Sequence, residues 1–280
     1  MLNPILEREI KSKMRSWRMP IAIVIYLFFM GLVTYLGMSL MSFSSMRAGF
    51  DPQAAANIYD FISVFQLGLI MFIVPLVTAT SISGERERQT LDLMLCTDFP
   101  IMSIIYGKML SGLSTVLLLM VMATPFLSVS FVLGGIGILD VLKTILYYAI
   151  SALYISTISL YASTKFRRNI TAIIMTYVIM GILYVTPFIL FLGLSLDVRG
   201  AGLMSLFEQE PYIMSALFFG ANPGYGMLSL MSFSDLAQQL NSQILPSLSR
   251  VPTWIISFIW FAIISFIMLK LAKKNLKAKG

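Results

Sequence analysis

The chain has no histidine, a single cysteine (Cys96) and only 12% charged residues over a length of 280. Without histidine there is no serine–histidine dyad, no HExxH metal motif and no side chain that ordinarily titrates near neutral pH. One thiol excludes an intrachain disulfide. The charge content is about half that of a soluble protein, and no stretch is left over for a sizeable soluble domain. The apolar blocks carry no carboxylate in their interiors. That removes the paired aspartates of an intramembrane protease and the relays common in ion-coupled transport, leaving backbone carbonyls as the remaining cation ligands. A phosphate loop is missing as well: Gly107-Lys108 resembles the end of one, but Met102 replaces the first glycine and Met109 the final Ser or Thr.

What is present is hydrocarbon: 58% of the residues are hydrophobic. They fall into six blocks long enough to cross about 30 Å of bilayer as helices, at 19–40, 61–82, 109–133, 142–162, 170–196 and 254–270. This predicts an all-α integral membrane protein, residues 1–280 forming one transmembrane domain. The first block follows Lys11, Lys13, Arg15 and Arg18 but is longer than a signal-peptide core and lacks an A-x-A-like site, so it reads as an uncleaved span. With the N-terminus in the cytoplasm, sixteen Lys and Arg fall inside and four outside (Arg47, Lys143, Arg199, Arg250). Both termini are therefore expected on the cytoplasmic side of the membrane. The net charge of +7 then reads as a topology signal for a protein in a lipid bilayer, not as a nucleic-acid footprint.

The connections carry further expectations. Residues 1–18 read as an interfacial helix, with Leu6, Ile10, Met14 and Trp17 at helical spacing and basic residues between them. Residues 197–253 form an external loop containing "PYIMSALFFGANPGYGMLSLMSF" (211–233), which has no charge. Gly220, Asn222, Pro223, Gly224 and Gly226 at its centre argue against a seventh span and for two half-helices bending at Asn222-Pro223-Gly224. The 20 methionines are scattered and read as apolar filler, so no metal site is expected. Cys96 reads as a reduced packing thiol, and Trp17 and Trp254 as interface anchors.

"SISGERERQTLDLMLC" (81–96) breaks the apolar pattern. Drawing Glu85, Arg86, Glu87 and Arg88 to mid-bilayer would cost about 10–14 kcal/mol, so the second span stops near Gly84. A short helix over 84–97 follows, with Leu91, Met94 and Leu95 on one face and Gln89 and Asp92 on another. Two or three turns are not stable alone and need a surface. The quartet has no net charge and would attract anionic lipid poorly, which favours a docking groove on a cytoplasmic partner.

The run Ser83-Gly84-Glu85-Arg86-Glu87-Arg88-Gln89-Thr90-Leu91-Asp92-Leu93-Met94-Leu95 resembles the S-x-E-R-E-x-G-T-L-E-x-L-L pattern after the second span of ABC type-2 transporter permeases. Gln89 stands where that pattern has glycine, and Cys96-Thr97-Asp98-Phe99-Pro100 departs from the S-T-P that often follows. The resemblance implies a permease subunit of a two-component ATP-driven exporter in a bacterial cytoplasmic membrane, without catalytic or ATP-binding residues of its own. It implies two copies of a separate ATPase subunit carrying ATP and Mg, and a second permease, identical or homologous. It gives Glu85, Arg86, Glu87, Arg88, Thr90, Leu91, Met94 and Leu95 the role of docking that ATPase through a coupling helix. Phe218, Phe219, Asn222, Pro223 and Tyr225 would form an outer gate. Uncharged spans suit lipids, hydrophobic peptides or amphiphiles as cargo. The alternative reading is a non-transporting scaffold or sensor that anchors a cytoplasmic partner through the same helix.

Overall fold

A computed structural model describes residues 17–45, 52–91, 100–132, 136–196, 220–231 and 253–277. The expected interfacial helix lies almost wholly outside these residues, as do Met94, Leu95, Phe218 and Phe219. The described residues form helices and no strand. In chain order these are α1 (Arg18–Ser45), α2 (Pro52–Thr78), α3 (Thr80–Glu87), α4 (Ile101–Val132), α5 (Ile138–Lys165), α6 (Asn169–Leu196), α7 (Pro223–Leu230) and α8 (Thr253–Lys277). Six stretches, from 18 to 33 residues long, are long and apolar enough to cross a membrane.

The six long helices alternate in direction. The start of α1, the end of α2, the start of α4, the end of α5, the start of α6 and the end of α8 share one end of the bundle, called the inner end below. The helices extend past the apolar blocks. Thus α2 begins at Pro52 and α4 at Ile101, which brings Asp60 and Lys108 inside helices where both are buried.

Helix α5 is the axis of the fold. Every residue from Tyr154 to Leu160 is buried, so the helix has no lipid face over that stretch. Its sequence accounts for this: Ser151, Ala152, Ser156, Thr157, Ser159, Ala162 and Ser163 are small enough for neighbouring backbones to approach closely. Several buried hydroxyls bond to the carbonyl one turn back, as where Ser159 Oγ donates to the Ile155 carbonyl at 2.8 Å and Thr78 Oγ1 to the Val74 carbonyl at 2.8 Å. Around α5 lie α2, α4, α6 and α8. Tyr154 stacks on Phe261 of α8 with centroids 4.4 Å apart, and Thr157 Oγ1 donates to Ser265 Oγ at 3.2 Å.

Lipid-facing surfaces fall at the periphery. On α6, Ile170, Ile174, Val178, Ile182, Val185 and Ile189 are exposed at three- and four-residue intervals. On α1, Val24, Ile25, Phe28 and Tyr35 are exposed in the same manner. Such apolar surface is at home in hydrocarbon, whereas in water it would be far beyond what a soluble protein displays.

Candidate functional site

At the inner end, α2 does not run smoothly into the charged stretch. The helix breaks at Ala79, although the Ala79 amide still donates to the Pro75 carbonyl at 2.9 Å. The amides of Ile82 and Ser83 then turn to another helix: both donate to Ser163 Oγ of α5, at 3.0 and 2.9 Å. The carbonyls that those amides would have met are taken by side chains. Ser81 Oγ donates to the Thr78 carbonyl at 2.7 Å, and Ser83 Oγ lies 2.9 Å from the Ala79 carbonyl. A hydroxyl on a neighbouring helix therefore caps α3, because Ala79 has no side-chain oxygen with which to do so.

The charges that follow are matched to helix ends. Glu85 pairs with Lys108 of α4, which is only 5% exposed. Arg86 donates from Nη1 and Nη2 to the Thr164 carbonyl at 3.3 Å each, and from Nη1 to the Phe166 carbonyl at 3.2 Å. Carbonyls at a helix C-terminus lack amide partners and carry partial negative charge, so a guanidinium fits there. Glu87 meets the opposite polarity. Its Oε1 accepts from the Asn169 amide at 2.9 Å and its Oε2 from Asn169 Nδ2 at 2.6 Å, at the positive N-terminus of α6. Asn169 Oδ1 in turn lies 2.7 Å from Ser83 Oγ. Adjacent residues of opposite sign thus grip the end of α5 and the start of α6, holding the turn between them.

Helix α3 stops immediately afterwards. Gln89 takes a left-handed backbone with φ 57°, its amide donates to the Arg86 carbonyl at 3.1 Å, and the Thr90 amide donates to the Glu85 carbonyl at 2.9 Å. This is the Schellman arrangement, normally built with glycine at the left-handed position. The chain then turns Leu91 inward, 5% exposed, into a cluster with Ile82, Ile105, Met109, Leu160, Ala272 and Leu276. The stop falls inside the 84–97 range expected for one helix. Of the expected docking residues, Glu87, Arg88 and Thr90 are exposed, together with Gln89. Glu85, Arg86 and Glu87 bond within the chain, and Leu91 is core.

The match to family models decides what this arrangement belongs to: the model for the ABC-2 family transporter protein covers residues 3–268. The chain belongs to the ABC-2 transporter family. An ABC-2 permease is a multi-pass membrane transport subunit that is not itself catalytic and that generally works with an ATPase subunit. None of the curated proteins searched matched the chain. In this ABC-2 permease the clamp is a set of long-range bonds that tie one short helix to three others.

Of the residues expected at an outer gate, Asn222, Pro223 and Tyr225 are described, and they lie away from the clamp along α5. Asn222 Oδ1 accepts from the Gly224 amide at 2.9 Å and Pro223 occupies the first turn, so α7 starts with a side-chain cap and a residue that needs no amide partner. Tyr147 Oη donates to the Pro223 carbonyl at 2.6 Å and Tyr154 Oη to the Ala221 carbonyl at 3.2 Å. Tyr225 is buried. The Cα of Tyr154 lies about 24 Å along α5 from its outer end. The two sets of expected residues are therefore not brought together; they share one helix, with Ser163 at one level and Tyr147 and Tyr154 at another.

Ser163, Asn169, Tyr147 and Tyr154 were absent from the sequence-based set. Asn169, after two arginines and before an apolar run, had a recognisable helix-start signal. Ser163, in a run of small residues, had none.

Proposed function

We propose that this chain is the permease subunit of a two-component ATP-driven exporter, oriented with the α3 end of the bundle in the cytoplasm. The exposed step Arg88-Gln89-Thr90 would dock a separate ATPase subunit, with Met94 and Leu95 continuing the surface. The observation that carries this reading is the clamp: α3 is bonded to α4 through Glu85, to α5 through Arg86 and to α6 through Glu87. A displacement applied at 88–90 is thereby delivered to three spans at once. Basic residues support the orientation, since Lys108, Lys165, Arg167, Arg168, Lys270, Lys273, Lys274 and Lys277 gather at that end.

In this reading ATP and Mg belong to two ATPase copies, whose closure moves the α3 helices of two paired permeases, identical or homologous. Helix α5 carries the movement from Ser163 toward Tyr154 and Tyr147. There the half-helices of 211–233, with Asn222, Pro223 and Tyr225 and with Phe218 and Phe219 beyond the described residues, dip into the outer leaflet and serve as the outer gate. Residues 1–18 lie in the inner interface. The anchoring of α7 to tyrosines well below the outer end of α5 supports the gate.

The test is co-purification with the cognate ATPase. Arg88→Glu, at an exposed position, is expected to weaken complex formation and permease-dependent ATPase activity while leaving the thermal stability of the isolated permease unchanged. Leu91→Arg would instead drive a charge into the inner cluster and lower stability, so it does not report on docking. ATPase binding and activity that are equal in wild type and Arg88→Glu would count against docking at this step, and labelling of a thiol at Arg88 from outside intact cells would invert the orientation.

A further inference from the structure

The inner end of α8 carries a charged surface that the clamp does not use. Lys270, Lys273, Lys274 and Lys277 are all exposed. At about 100° per residue they fall within an arc of about 100°, on one face of the last turns. Helix α8 contains no acidic residue. Followed back toward the outer end, the same arc runs through Phe266, Ile263, Ile259 and Ile255, all exposed. One continuous stripe is therefore apolar up to Phe266 and cationic from Lys270 on. At the seam the Lys270 ammonium sits over the Phe266 ring, 4.3 Å from its centroid.

The opposite face of the helix fixes how the stripe is presented. Ala272 and Leu276 are buried in the inner cluster with Ile105 and Met109 of α4 and Leu160 of α5. Asn275 Nδ2 donates to Thr164 Oγ1 at 3.4 Å, holding the last turns of α8 against the end of α5. The lysines thus point away from the bundle, in line with side chains that face lipid. A basic run that served topology alone would need no particular face. Depth agrees with the register. The step from Lys270 to Lys277 is about 10 Å along the axis, and the headgroup layer beside the hydrocarbon is about 5–8 Å deep. With Phe266 in hydrocarbon, Lys270, Lys273 and Lys274 fall within that layer and Lys277 at its aqueous edge.

We propose that the lysine face of α8 is a binding site for phospholipids of net negative charge. The ammonium groups hold the headgroup phosphate, and Phe266 with the exposed isoleucines receives the acyl chains of the same molecule. An acidic protein surface would match the charge, but it gives no reason for the lysines to continue a hydrocarbon-facing stripe. Each ammonium is a compact point charge without the planar fork of a guanidinium, so the site selects by charge and arginine at the same positions would serve. The lipid site does not depend on the exporter reading.

The experiment uses the full chain in phosphatidylcholine vesicles with a local reporter. Ile267→Trp places a tryptophan at an exposed position one turn before Lys270, and Trp17, Trp254 and Trp260 are replaced by phenylalanine so that it alone emits. Quenching by phosphatidylglycerol brominated in its acyl chains, against phosphatidylcholine brominated likewise, reads the relative affinity at that place. A preference of about fivefold for phosphatidylglycerol is expected at low salt, the worth of one lysine at an anionic surface. It should fall severalfold at about 1 M NaCl. Replacing all four lysines by glutamine should bring it close to unity, and replacing them by arginine should keep it. Equal quenching by the two lipids with the lysines in place, or a preference that the glutamines leave unchanged, overturns the proposal. Should the reporter chain not fold, native mass spectrometry counts the phosphatidylglycerol retained by the wild-type chain and by Lys273→Gln/Lys274→Gln. Less lipid on the variant is expected, and equal retention overturns the proposal. Association with the ATPase is measured separately, so the lipid site and the exporter reading fail independently.

Discussion

Removing one partner of the Glu85–Lys108 pair tests the clamp at its most buried point. In Glu85→Gln the Lys108 ammonium, 5% exposed, loses the Glu85 charge, although the glutamine keeps an acceptor oxygen. Breaking a buried pair from one side costs about 3–5 kcal/mol, and the retained acceptor places this variant near 3 kcal/mol. Lys108→Met leaves a carboxylate whose side chain is 23% exposed and can recover some hydration, so its cost is near the roughly 2 kcal/mol of a charge-assisted hydrogen bond. In the double variant neither charge is stranded, and the cost should not exceed the larger single effect. The coupling energy is then about 2 kcal/mol. Reversible unfolding of the purified chain in mixed micelles, titrated with SDS and followed by circular dichroism, measures all four corners of the cycle. If the two single effects add to within about 0.5 kcal/mol, Glu85 and Lys108 do not hold α3 to α4 and the argument for the clamp fails.

The remaining predictions concern the other contacts. Gln89→Gly should stabilise the chain by about 1 kcal/mol, because a side chain at φ 57° is strained where glycine is not, and the same micelle titration measures it. Glu87→Ala removes both bonds to Asn169 at the start of α6 and should cost about 1–2 kcal/mol, with faster amide hydrogen exchange confined to the first turn of α6. Gly226→Ala would place a methyl against the Tyr147 hydroxyl and 3.0 Å from Ser257 Cβ, and should cost about 1–3 kcal/mol by pushing α7 away. A lower Tm together with faster proteolysis near residues 220–231 would report that displacement.

Some of the site was legible before any tertiary contact was known. The alternating charges at 85–88 had to leave the hydrocarbon, and Asn222-Pro223 had to start a helix and not continue one. The burial of Asp60 within α2 was not legible, for a specific reason. The apolar block begins at Phe61, whereas the helix that carries Asp60 begins at Pro52, because buried neighbours on α1 and α5 let helix continue past the lipid-soluble sequence. The expectation of a single helix over 84–97 met a related limit: the stop at Gln89 depends on backbone bonds and on Leu91 finding a cluster that α3 shares with three other helices.

Sequence by itself determined the class of the protein, the number of apolar helices and the uneven distribution of basic residues. Each of these depends on transfer free energies that are properties of local composition. The tertiary structure alone decided what the charges do. Glu87 and Asn169 are 82 residues apart, and Arg86 and the Thr164 carbonyl 78, so no local pattern can record that they meet. In the low dielectric of the bundle an unmatched charge is costly, and the packing of α3 across α4, α5 and α6 supplied a partner of opposite polarity at each step.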